Sequence, residues 1–87
     1  MKAKVLVLEK KLFEGEVSRI VLSATDGEMC LLPHHAPLVT SLQKGQLKVF
    51  RLEGARPLII KLIGGICSFR ENNAVFLLEQ ENSSTYV

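Results

Sequence analysis

The sequence predicts an all-β fold, a sandwich or barrel of many short strands. Three observations predict it. Turn-forming residues recur at short intervals, at Gly15, Asp26-Gly27, Pro33, Pro37, Gly45, Gly54, Gly64-Gly65 and Asn72-Asn73. The runs between them are rich in aliphatic residues, with 27 Val, Ile and Leu among 87. No run reaches the length of an ordinary helix, about 11 residues. Many short strands at even spacing indicate two packed sheets or a closed one.

Eight runs qualify as strands in chain order: Lys4–Glu9, Val17–Leu22, Met29–Leu32, Leu38–Leu42, Gln46–Leu52, Leu58–Ile63, Ile66–Arg70 and Ala74–Glu79. In the sixth, positions 58, 60 and 62 form one aliphatic face, while Lys61 sits between two isoleucines on the other. In the fifth, the apolar phase switches midway, which a bulge or burial of both faces produces. Residues Leu52 to Pro57 read as the hairpin joining these two runs. Asn72-Asn73 reads as a tight turn, because Asn tolerates positive φ. Gly64-Gly65 lacks the further glycines and helix of a phosphate loop, and reads as a close backbone approach or a bend.

Size and charge exclude several function classes. The length suits a single domain, here residues 1–80 with a polar tail at 81–87. A net charge of +2 gives no basic field, so nucleic acid is not an expected partner. Apolar runs are cut within a few residues, as Leu58–Ile60 is by Lys61, so no segment spans a bilayer. The start is basic then apolar, but Glu9-Lys10-Lys11 ends the stretch too early for a signal peptide. It is not Ser- and Arg-rich like a transit peptide. Such a chain works in the compartment where it is made. A chain this small buries about 60–65% of its unfolded surface, yet 47% of its residues are hydrophobic. A permanent partner surface accounts for the remainder.

Chemistry has little to stand on. Cys30 and Cys67 read as two buried thiols in a reducing compartment. Cys30, His34 and His35 lie within six residues, but adjacent side chains on an extended chain point to opposite sides, and zinc needs three or four ligands. No metal and no cofactor are expected. Ser18, Ser23, Ser41 and Ser68 lie in strand contexts without a glycine elbow, and no catalytic residues are expected. The Pro-bracketed stretch Leu32-Pro33-His34-His35-Ala36-Pro37 is a stiff exposed connection, suited either to recognition or to an ordinary solvent-facing turn.

Four elements together carry a resemblance: Leu12-Phe13-Glu14-Gly15-Glu16-Val17, Asp26-Gly27-Glu28-Met29, Leu32-Pro33-His34-His35-Ala36-Pro37-Leu38 and Gly64-Gly65-Ile66. In order and spacing, from about residue 4 to residue 79, the sequence resembles the epsilon subunit family of F-type ATP synthase. The resemblance implies a flattened β-sandwich of about ten short, mostly antiparallel strands. It implies a non-catalytic central-stalk (rotor) subunit in a hetero-oligomeric complex, linking the gamma subunit to the c-ring and coupling proton flow to ATP synthesis. Gly27 and Glu28 match the family's c-ring loop. His35 and Thr40 match its gamma-facing side, and Leu38 and Leu42 share the face of Thr40 by strand alternation. The implied location is peripheral, on the cytoplasmic face of a bacterial inner membrane or the stromal face in a plastid. Cys30 stands where the family usually has Gly, and His34 where it often has a small residue. The family usually continues into two C-terminal helices that inhibit hydrolysis and sometimes bind ATP; these 87 residues contain neither, so neither role is expected of them. A reading from another class is a free-standing β-sandwich module for a peptide or small ligand. A small metal-dependent enzyme built on Cys30, His34 and His35 is the third.

Overall fold

The computed structural model describes residues 1–8, 10–24, 27–52 and 56–80. Among them are eight strands and no helix: β1 (Lys2–Val7), β2 (Lys10–Ala24), β3 (Gly27–Leu31), β4 (Leu38–Leu42), β5 (Gly45–Arg51), β6 (Leu58–Leu62), β7 (Gly64–Arg70) and β8 (Asn73–Glu79). The count is eight rather than about ten, and each of the eight aliphatic runs lies within or largely overlaps a strand. Glu53, Gly54 and Ala55 of the expected β5–β6 hairpin and the polar tail 81–87 lie outside the described residues.

The strands form two layers. β1, β8, β7 and β4 lie side by side in one, and β3, β2, β5 and β6 in the other. The fifteen-residue β2 belongs to both, because it pairs β1 through Lys10–Glu16 and then β5 and β3 through Val17–Ala24. It pairs β4 at a single position, Ala24 opposite Leu42. Every pairing is antiparallel except β1 with β8. Gly15, expected to break the chain, sits inside β2 opposite Ala3. The strand survives there because one neighbour hands it directly to the next.

A bulge between Val17 and Arg19 resets the phase of β2. Phe13, Gly15 and Val17 face the interior before it; Ile20 and Leu22 face it afterwards. Ser18, the bulged residue, donates its hydroxyl to the Phe50 carbonyl at 3.1 Å. The apolar phase switch in β5 has a different cause. Leu47 and Val49 point inward, and Phe50 lies half-buried on the outer face beneath the Arg19 guanidinium, 3.8 Å from its ring centroid.

The core is wholly apolar. Its largest members are Phe69 and Phe76, packed with Ile20, Leu22, Leu31, Leu47, Ile60, Val5, Val17, Val49 and Cys67. No polar or charged side chain is buried among the described residues. The fold therefore rests on apolar burial, worth about 25 cal/mol per Å².

Candidate functional site

Register places the turns at two ends of the sandwich. At one end lie the β3–β4 loop, the β7–β8 turn and the start of β1. Within the loop, His35 N–H donates to the Leu32 carbonyl at 3.2 Å, with Pro33 and His34 at the central positions. His34 has φ of 66°, so this is the signature of a type II turn, with histidine where glycine is usual. The His34 N–H donates to Asn72 Oδ1 at 2.7 Å. His35 Nδ1 lies 2.7 Å from the Ala36 carbonyl, which only accepts, so Nδ1 carries the proton. The His35 ring meets Phe69 edge-on at 6.1 Å. Residues 32–37 are all exposed.

At the opposite end lie Gly27 and Glu28, where β3 begins. Gly27 has φ of 117° with open space where a Cβ would sit, and Glu28 is exposed. Ala24 pairs Gly27 on one side and Leu42 on another, and Gly45 pairs Leu62. The same end therefore carries Lys44, Ile63 and, after β1, Leu8. Leu8 is 92% exposed at φ of 54°, an uncommon conformation for a bulky residue.

The β4 residues behave differently from the loop. Leu38, Thr40 and Leu42 share one face, and that face points inward. Leu42 is 4% exposed, Leu38 packs against the core, and Thr40 is half-buried opposite Cys67. The outward residue is Val39, 74% exposed. Across the sheet, Val39 aligns with Ser68 and Val75, and the next row runs Ser41, Ile66, Leu77, Leu6. Ile66 and Leu77 are about half exposed, at 48% and 49%. This apolar outer face was not singled out from the sequence. Its signal was present: Ile66 and Leu77 are apolar at positions out of phase with the buried Cys67, Phe69, Phe76 and Leu78. The other layer's outer face is more basic, with Arg19, Lys48 and Lys61.

Residues 1–81 match the family model for the β-sandwich domain of the ATP synthase delta/epsilon chain. The chain is 35% identical over 79 residues to the ATP synthase epsilon chains of Dehalococcoides mccartyi strains BAV1 and CBDB1, covering 91% of this chain. It belongs to the ATP synthase delta/epsilon β-sandwich family. The chain spans 55% of the length of those two relatives. The delta/epsilon fold is also seen in solved assemblies. A chain in the Euglena gracilis mitochondrial ATP synthase OSCP/F1/c-ring structure superposes with a TM-score of 0.80 at 22% identity, over 87% of this chain and 48% of that one. One in the Tetrahymena thermophila mitochondrial ATP synthase central stalk/c-ring structure gives 0.71 at 16%, over 92% and 63%.

The two thiols of this delta/epsilon sandwich part company. Cys67 is buried as expected, but Cys30 is exposed, because Met29 and Leu31 take the inward positions of β3. Both are free. Cys30 is an ordinary strand residue, not among the positive-φ positions, so a side chain there brings no backbone strain. Among the described residues, no three His, Cys, Asp or Glu side chains come together as a metal set. Burial pushes the Cys67 thiol up to about 12, which withholds its thiolate at neutral pH. A thiol reagent should therefore modify one cysteine rapidly in native protein and the second only after urea is added. Rapid native modification of both would contradict the burial of Cys67.

Proposed function

We propose that this chain is a non-catalytic central-stalk (rotor) subunit of a proton-translocating F-type ATP synthase, joining the gamma subunit to the c-ring and coupling proton flow to ATP synthesis. The observation that carries the proposal is the outer face on which Val39 lies in one cross-strand row and Ile66 and Leu77 in the next, on a sandwich of this family. Water-facing strands rarely display such a face unless a partner covers it. Gamma is the partner assigned to it, together with the adjoining exposed His35, while the half-buried Leu38 and Thr40 reach this flank from the inner face. Leu42 supports this flank from beneath. The end bearing Gly27 and Glu28 is assigned to the polar loops of the c-ring.

The names of the similar proteins support the reading. The Dehalococcoides relatives are epsilon chains, and the two solved assemblies contain a c-ring. The corresponding location is the peripheral F1 sector, on the cytoplasmic face of a bacterial inner membrane or its stromal equivalent.

Size-exclusion chromatography with purified gamma tests the proposal. Co-elution at micromolar concentration is expected, and separate elution would count for the free-standing binding module instead. Exposed Glu28 makes no side-chain hydrogen bond or ion pair with the described residues, so Glu28→Arg should leave thermal unfolding unchanged while weakening docking to c-ring-containing membranes. Undiminished assembly and coupling in that variant would show that this end has been wrongly assigned.

A further inference from the structure

The loop that carries His35 is held by a side chain from another hairpin. Pro33 fixes its own φ, but His34 adopts φ of 66° without being glycine, a conformation that surrounding structure must enforce. The turn's own hydrogen bond, from His35 N–H to the Leu32 carbonyl, leaves the His34 N–H free for an outside acceptor. That acceptor is Asn72 Oδ1 at 2.7 Å, 38 residues along the chain. Asn72 is itself fixed. With Glu71 it forms the β7–β8 turn, both residues at positive φ (50° and 61°), the pattern of a two-residue type I′ hairpin. Its carbonyl accepts the Lys2 N–H at 3.1 Å. One residue thus ties together the loop, the β7–β8 hairpin and the start of β1.

We infer that Asn72 is a positioning residue that presets the Leu32–Pro37 loop for gamma. The inference rests on the stalk reading above, and adds to it the device that shapes the contact. A loop held in its bound shape loses less conformational freedom on association, so its partner binds more tightly without any new contact. Asn72 need not touch gamma to have this effect. The residue type fits: Asn enters the left-handed region readily, and its side chain offers a carbonyl oxygen.

The test compares Asn72→Gly and Asn72→Asp with the unaltered 87-residue chain. Glycine keeps the positive φ and the main-chain carbonyl but removes the acceptor; aspartate keeps an oxygen near the same place. Two quantities are read, the amide exchange rate of His34 by NMR and the Kd for purified gamma. For Asn72→Gly, faster His34 exchange and roughly 3- to 10-fold weaker binding are expected, the worth of one hydrogen bond. Asn72→Asp should restore both. Wild-type affinity in a folded Asn72→Gly, or no rescue by aspartate, overturns this inference alone. If the unaltered chain fails to bind gamma, the stalk reading falls and the inference with it.

Discussion

Phe76→Ala should lower the unfolding free energy by about 3–5 kcal/mol, the usual cost of emptying a buried aromatic site. Phe76 is fully buried in β8, opposite Cys67 on one side and Val5 on the other. The row continues to Thr40 and Phe13, so the ring lies in the middle of one layer's inner face. Collapse around the vacated space is resisted on both sides by paired backbone. Small domains have only about 5–15 kcal/mol in total, so the variant should unfold at a much lower urea concentration or fail to accumulate. Phe76→Leu, which keeps more of the volume, should recover much of the loss. Equal urea midpoints for wild type and Phe76→Ala would refute the described packing.

Gly65→Ala should be comparably damaging for a different reason. Gly65 has φ of 151°, and a Cβ built there would run into the Leu77 carbonyl oxygen and lie 3.1 Å from Leu78 Cα. Both obstacles are backbone of the paired strand β8, which cannot swing aside as a side chain does. Backbone strain of about 1–3 kcal/mol adds to overpacking of about 1–3 kcal/mol. The expected loss is therefore about 2–6 kcal/mol, measured by urea unfolding. Gly27→Ala is the control: its φ is also positive, but among the described residues beyond its chain neighbours no atom lies within 4 Å of the added methyl. It should suffer only the conformational part. A loss at Gly65 no larger than at Gly27 would show that the close approach is unimportant.

The fold was largely legible because strand punctuation and alternation are local properties. β4 matches its expected run residue for residue, and the other expected runs lie within or largely overlap their strands. Gly15 misled because a glycine in a strand is indistinguishable, along the sequence, from one that ends it. What decides is a neighbour on each side, and no local pattern reports that. Cys30 misled for a simpler reason, since Met29 and Leu31 already claimed the inward phase. At the site, alternation correctly grouped Leu38, Thr40 and Leu42. It could not say which face was inward, because Val39 between them is apolar too. His34 was noted as unusual, but its positive φ and its bond to Asn72 join residues far apart in the chain, and spacing cannot show that.

The parallel β1–β8 pair has a consequence for synthesis on the ribosome. β1 is made before β8, and Val7 finds its neighbour Leu78 only 71 residues later. At about 5–20 residues per second, that delay is roughly 4–14 s. Throughout it the nascent β1 offers one unoccupied flank, while β2 can already cover the other. Translation speed, and any chaperone guarding that flank, should thus influence yield more than substitutions at the exposed turns do.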